Sequence, residues 1–386
     1  MFTMESKEIL ERIRRGEDSF TQLKEKIINE EKLAEELVAF SNAHGGIIIV
    51  GVNDSGKLMG LSPDEIRKLN QLISNTVMTK IKPPINPLTK VYDIEDKKLV
   101  VIFLKEGSSK PYSTNKGIYV KRYGADKRRI SEEELQRLFQ ESGKMYADEH
   151  VCNESTLNDI NFEAFKNFYK KNYEIDFDEV DGSCDQILKN IKLAEPPHLR
   201  FSGIMLFANN PQKFYPQFIT KGMCFKGNDV TTDEYIESRD AKGTLVFQYQ
   251  EMMSFILRNI RKIQKGQGIN TEGELEIPRI VFEEILTNAY LHRDYYISAP
   301  IRIFILDNRI EIINPGKLPN ALTVENITHG VSIIRNPILT SVMSKMIPYR
   351  GVGLGILRAL KHYPHIQFIN DSESEQFKVI IERRAL

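Results

Sequence analysis

Glu284-Ile-Leu-Thr-Asn288-Ala289-Tyr-Leu-His292-Arg293-Asp294 and, further on, Gly351-Val-Gly353-Leu-Gly355 are the most informative stretches of this chain. A carboxylate and an amide four residues apart lie side by side on one helix face. That pair suits a specific chemistry. The Asn288 amide can ligate a Mg²⁺ ion carried by phosphates, and Glu284 can orient or deprotonate an attacking water. The glycines can open a helix, Ile356-Leu-Arg358-Ala-Leu, whose first N–H groups lack intrahelical partners and so suit a polyphosphate. Taken singly, the pair also fits a surface helix, and glycine triplets are common. In this order within the C-terminal third, they favour a nucleotide site.

The surrounding sequence supplies a scaffold. A helix is expected over 278–291, and residues 300–306 and 309–313 alternate as strands joined by an Asp307-Asn308 hairpin turn. Residues 366–370 and 377–382 form a second hairpin-like pair. Helices layered over a mixed or antiparallel sheet follow. Two further elements lie between the helix and the glycines: Asn314-Pro315-Gly316 and Arg335-Asn336-Pro337.

These four ordered elements resemble the gyrase, histidine-kinase and MutL ATPase superfamily (GHKL). The match is to a divergent branch labelled as the C-terminal region of ATP-dependent helicases or transcriptional regulators. The resemblance implies ATP and Mg²⁺ as cofactors, with Glu284 catalytic and Asn288 on the metal. Asn314, Gly316, Arg335, Gly351, Gly353 and Gly355 would contact the nucleotide. In the superfamily an aspartate before Gly-x-Gly reads the adenine amino group. Here Asn314 replaces the aspartate, and Lys317 follows Gly316 with no second glycine. An asparagine carbonyl can still accept from adenine N6. Residues 317–350 would form a lid, with Arg335 on a phosphate or bridging subunits. His292-Arg293-Asp294 is like a kinase catalytic loop, but no Asn stands at the required offset and no Asp-Phe-Gly follows, so that reading fails. Relatives of this branch often continue into a winged helix. This sequence stops just after the strand at 377–382, which weakens a transcription-factor role.

The N-terminal third carries a second pattern. Helices are expected over 4–16, 30–44 and 63–79, with a buried strand at 47–52 and strands at 89–94 and 98–103. Residues 112–119 and 120–122 read as a short strand pair, and Ser131 begins a helix with acidic residues in its first turn. Within this region Thr21-Gln22-Leu23-Lys24 and Ser41-Asn42-Ala43-His44-Gly45-Gly46, continuing to Gly51-Val-Asn53-Asp54-Ser-Gly56, resemble the Schlafen / AlbA-type domain. In Schlafen proteins that cut RNA, two glutamates and an aspartate build a divalent-metal nuclease site. Glu17 matches the first acidic position and Asp54 the third, but Gln22 holds the second. An amide lacks the charge that a hydrolytic metal site draws on. A metal-dependent RNA or DNA nuclease is therefore the alternative reading, and Asn53 to Gly56 reads first as a plain strand-to-strand turn. A basic run, Lys116, Lys121, Arg122, Lys127, Arg128 and Arg129, interleaves with Tyr119 and Tyr123. It reads as a phosphate-backbone contact or as a solvated face.

Between the two lies a Phe/Tyr-rich helix at 162–173 and an acidic stretch from Glu174 to Asp181. That stretch is a poor calcium loop, because Val180 occupies a ligand position and Gly182 falls one place late. Residues 203–207 are short enough for a buried strand or a helix end. A long helix is expected over 241–265, and 265–268 looks like a linker.

Composition bounds the rest. The 386 residues are 41% hydrophobic, enough for more than one core. Basic and acidic residues balance at 53 each, so nucleic-acid binding must come from a local patch. Cys152, Cys184 and Cys224 are scattered without metal-ligand spacing, and His362 and His365 do not make a zinc pattern. No apolar run reaches membrane-helix length and the first residues do not read as a signal peptide, so no membrane partner and a cytoplasmic location are expected. The expectation is an α/β (α+β) protein: a Schlafen/AlbA-like domain at 1–145, an α/β middle region at 146–268 and a helix-over-sheet ATP-binding domain at 269–386. It would be a homo-oligomer that couples nucleotide state to DNA, RNA or partner binding as a transcriptional regulator. A nucleotide-free structural module is the third reading.

Overall fold

The computed structural model describes residues 4–175, 183–264, 273–319, 322–348 and 353–383. Residues 176–182 of the acidic stretch, the expected linker at 265–268 and Gly351 lie outside the described residues. The chain divides into two compact units, Met1–Lys144 and Met145–Leu386.

The first unit runs α1 (Ser6–Arg15), β1 (Thr21–Lys24), α2 (Glu30–Asn42), β2 (Gly45–Val50), α3 (Pro63–Lys80), β3 (Ile81–Lys82), β4 (Leu88–Ile94) and β5 (Lys97–Lys105). It continues through β6 (Ser113–Thr114), β7 (Val120–Tyr123), β8 (Asp126–Arg129) and α4 (Glu132–Glu141). Its sheet has the order β1-β2-β5-β4, with β1 parallel to β2 and the other pairs antiparallel. The unbroken apolar run Ile47-Ile-Ile-Val50 follows from burial on both faces. Ile47 and Ile49 pack with Ile9 and Ile13 of α1, while Ile48 and Val50 pack with Leu33, Leu37 and Phe40 of α2. Side chains cap the expected helices: Asn29 for α2, Ser62 with Glu65 as a reciprocal box for α3, and Ser131 for α4. The expected pairing of 112–119 with 120–122 does not form. Instead β7 pairs with β8, and β6 pairs with β3.

The second unit begins with β9 (Val151–Cys152), α5 (Phe162–Tyr173), α6 (Cys184–Asn190), β10 (Ala194–Glu195), β11 (His198–Arg200) and α7 (Phe201–Phe207). The stretch at 203–207 is thus helical. Next come β12 (Thr220–Phe225), β13 (Tyr235–Ala241), α8 (Leu245–Asn259), β14 (Lys262–Ile263), β15 (Glu274–Leu275) and α9 (Arg279–His292). The unit closes with β16 (Ile301–Ile305), β17 (Arg309–Pro315), α10 (Val324–Thr328), α11 (Pro337–Met343), α12 (Gly355–His362), β18 (Ile366–Asp371) and β19 (Gln376–Glu382). A mixed sheet of order β13-β12-β16-β17-β19-β18 carries the unit. The parallel β12–β16 pair joins residues 220–225 of the middle region to the sheet of the last third. Helix α9 packs against both α8 and α12. One continuous core joins Phe255 of α8, Phe282 and Leu286 of α9 and Ile303, Ile312 and Val379 of the sheet. The fold is α+β, helices layered on sheets. No helix among the described residues is long and apolar enough to cross a membrane.

Candidate functional site

Helix α9 is buried along most of its length, and the chain beyond it closes its C-terminal end. The last carbonyls of a helix lack intrahelical donors. Asn336 supplies two, its Nδ2 donating to Leu291 O and Arg293 O at 2.9 Å each. Arg335 supplies another, Nη1 donating to His292 O at 3.3 Å while Nη2 reaches Lys317 O at 2.8 Å. The family resemblance puts Arg335 on a phosphate or between subunits. Its guanidinium also ties the end of α9 to the segment after β17.

Arg293 and Asp294 hold the same corner together. Arg293 is 2% exposed, lies over the rings of Phe218 at 4.4 Å and Tyr295 at 4.8 Å, and donates to the carbonyls of Ile297 and Ala299. Burial lowers its pKa to about 10, which leaves it charged at neutral pH. The Asp294 N–H donates to Pro315 O at 3.0 Å. Gly316 then has φ 106°, and a Cβ there would come within 2.5 Å of Asp294 Cβ and 2.6 Å of Arg335 Nη1. Close packing and backbone conformation both require glycine.

These contacts frame a cleft between α9, the sheet and the start of α12. Ile285, Asn288, Ala289 and His292 of α9 form one wall. Ile312 and Asn314 of β17, Phe368 of β18, and Phe377 and Val379 of β19 form the floor. Gly316, Lys317, Ser332, Arg335, Gly353, Gly355 and Ile356 also line the cleft. So Asn288, Asn314, Gly316, Arg335, Gly353 and Gly355, far apart in sequence, meet in one cavity. Asn314 is 6% exposed, and no group among the described residues hydrogen-bonds its buried Oδ1. Asn288 donates Nδ2 to Glu284 O at 2.8 Å, one turn back along its own helix.

Glu284 does not line the cleft. It is 3% exposed, and Arg358 of α12 meets its Oε1 at 2.5 Å. A Cβ on Gly355, the first residue of α12, would lie 2.5 Å from Glu284 Oε2 and 3.1 Å from Asn288 Nδ2. The glycine therefore lets the start of α12 press against both side chains. His292, to which the sequence pattern gives no role, faces the cavity. Burial, and then the nearby Arg335 charge, lower its pKa to about 4, so it is neutral at pH 7. Its signal in the sequence is its place within the Glu284 to Asp294 motif, where the kinase-loop reading fails.

In the first unit the basic run is largely occupied. Arg122, expected at a phosphate, is 4% exposed and structural. It donates to Gln22 Oε1, Asp18 O and Thr21 O, lies 3.7 Å from Glu36, and stacks over the Phe40 ring at 4.5 Å. Burial lowers its pKa, opposed chiefly by Glu36. Lys121 pairs with Glu134 at 2.7 Å, Lys127 with Glu35 and Glu36 at 3.0 and 3.1 Å, and Lys116 with Glu31 at 2.6 Å. Arg128 and Arg129 are exposed on β8, Arg128 lying 3.6 Å from Asp126. Glu17 accepts from the Gln22 side chain and from Leu23 N. Asp54 is exposed in a turn that Asn53 organises by accepting from Ser55 N and Lys57 N. Among the described residues no cluster of three or more His, Cys, Asp or Glu could hold a metal ion.

Residues 17–131 match the family model described as "Schlafen, AlbA_2", and residues 298–381 match "Putative ATP-dependent DNA helicase recG C-terminal". The chain joins a Schlafen, AlbA_2 domain to a RecG-related C-terminal domain. The Schlafen, AlbA_2 match begins at Glu17 and spans β1 to β8. The RecG-related match spans β16 to β18 and most of β19, taking in Asn314, Arg335 and the glycines but starting beyond Glu284 and Asn288. Among solved structures, the DIP2311 protein from Corynebacterium diphtheriae is similar at 19% identity, covering 95% of this chain and 76% of that one, with a TM-score of 0.49. The N-terminal domain of a "Putative ATP-dependent DNA Helicase RecG-related Protein" from Nitrosomonas europaea is similar at 21% identity, over 34% of this chain and 96% of that domain, with a TM-score of 0.24. No curated protein matches the chain.

Proposed function

We propose that the RecG-related domain binds ATP with Mg²⁺ in its cleft, and that nucleotide state governs nucleic-acid or partner binding by the Schlafen, AlbA_2 domain, as in a transcriptional regulator. The observation that carries this reading is Asn314, whose buried oxygen has no donor among the described residues in an otherwise apolar floor. A buried acceptor without a donor is costly, and an adenine amino group supplies the donor. The other parts fit the same ligand. Asn288 has committed its amide nitrogen to the helix backbone, which leaves the oxygen as the end to ligate Mg²⁺. When bound, the ion would neutralise charge on the phosphates. Gly353 and Gly355 allow the start of α12 to approach, with its N–H groups available to an anion.

Any hydrolysis is slow on this reading, because Glu284 is held by Arg358 and set back from the cleft. The nucleic-acid half rests on the two family descriptions, one of them DNA-helicase-related, and on Arg128 and Arg129. Calorimetry with Mg-ATP on the wild type and on Asn288→Ala tests the site. A loss of at least about tenfold in affinity is expected for the variant. Undiminished affinity removes Asn288 and the Mg²⁺ assignment with it.

A further inference from the structure

We infer that Asn314 lets the cleft take purine nucleotides bearing either an amino or an oxo group at the six position, so that ITP and GTP are ligands beside ATP. This rests on the nucleotide reading of the same cleft.

The floor around Asn314 is apolar, formed by Ile312, Phe368, Phe377 and Val379. In such a pocket base identity falls to the few polar groups present. Asn314 sits on β17 opposite Phe377, and neither end of its amide hydrogen-bonds to another described residue. No hydrogen bond among the described residues therefore fixes which way the amide faces. Its two ends have nearly the same shape but opposite hydrogen-bonding character, and a half-turn about the last side-chain bond exchanges them.

That exchange matches the two purine edges. Adenine offers an amino donor at position six and an acceptor at N1, which suit the amide oxygen and nitrogen in one orientation. Hypoxanthine and guanine offer an oxo acceptor at six and a donor at N1, which suit the same amide turned over. A carboxylate at this position could only accept, so with either base it would make one of the two bonds, from the six-amino group of adenine or from N1–H of hypoxanthine, and set a negative oxygen against the other base atom. A site built to bond one group discriminates strongly against the analogue that cannot make the bond.

The test is calorimetry of Mg-ATP, Mg-ITP and Mg-GTP with the wild type and with Asn314→Asp. ITP is the decisive ligand, because it carries the oxo group without the two-amino group whose bulk could exclude GTP for other reasons. The wild type should bind ATP and ITP within about tenfold of each other, and Asn314→Asp should weaken both by at least about tenfold, since a carboxylate makes only one of the two bonds to either base. ATP binding with ITP weaker by more than about tenfold in the wild type overturns the inference and leaves the ATP site standing. Undiminished binding of both nucleotides by Asn314→Asp overturns it too, since the reader would then be another group. If that variant does not fold, the wild-type ratio decides. Failure of all three nucleotides to bind the folded wild type removes the nucleotide reading and this inference together.

Discussion

Glu284 and Arg358 show how a residue named by a motif acquires its character from its surroundings. The four-residue spacing from Glu284 to Asn288 is a helix property, so the neighbourhood of the two was legible in sequence. The 2.5 Å contact with Arg358 was not, because it depends on α12 docking on α9. A charge-assisted bond to a buried carboxylate is worth about 1.5 to 3 kcal/mol. Arg358→Ala should therefore lower unfolding free energy by about that amount in denaturant titration, and a change under about 0.5 kcal/mol would mean the pair is of no consequence. The chemistry has its own check. Glu284→Gln should bind Mg-ATP as the wild type does and hydrolyse it at least about a hundredfold more slowly, if Glu284 handles the water. Equal turnover by the two proteins takes Glu284 out of the reaction.

Among the elements, the β7–β8 hairpin separates what composition suggests from what packing leaves available. Its basic residues are adjacent in sequence, yet Arg122 faces inward onto Phe40 while Lys121 and Lys127 reach acidic side chains on α4 and α2. Alternation along a strand sends neighbours to opposite faces. Only Arg128 and Arg129 remain on this hairpin as exposed groups for phosphate. Changing both to Ala should flatten the salt dependence of nucleic-acid binding by roughly one unit for each phosphate no longer neutralised, with little change in sequence preference. Binding measured across a salt series decides it, and an unchanged slope makes this hairpin a solvated face. Strands β12 and β13 are illegible in sequence for a related reason. Tyr235–Ala241 carries charged residues along an edge strand, and Thr220–Phe225 gains its place through parallel pairing with β16, far along the chain.

Across the second unit, the half-buried His292 and the buried Asp148 set opposing pH responses. His292 has its pKa lowered to about 4 by burial, so the unfolded chain binds the extra proton between about pH 4 and 6.5 and stability from this group falls as pH drops through that window. Asp148 accepts from Ile338 N at 2.7 Å and Leu339 N at 2.9 Å, and burial outweighs those bonds to raise its pKa to about 6. Here the folded protein holds the extra proton between about pH 4 and 6, and stability from this group falls as pH rises. The two slopes oppose. Asp148→Asn keeps an acceptor for both N–H groups and removes the second slope. Between about pH 4.5 and 6 its stability should climb more steeply with pH than that of the wild type, as followed by chemical denaturation. Parallel curves would show that Asp148 does not titrate differently in the folded state.

Local sequence was enough for helices α2, α3 and α4 with their side-chain caps and for the twice-buried strand at 47–50. Each of these depends on spacing or on turn chemistry. Assembly of the fold settled the rest: that Arg122 is a buried brace, that Arg335 and Asn336 close the end of α9, and that Glu284 stands behind Gly355 in the grip of Arg358. Those outcomes turn on which distant carbonyl, carboxylate or ring comes within hydrogen-bonding or van der Waals reach once the sheets are assembled, and no local pattern encodes that distance.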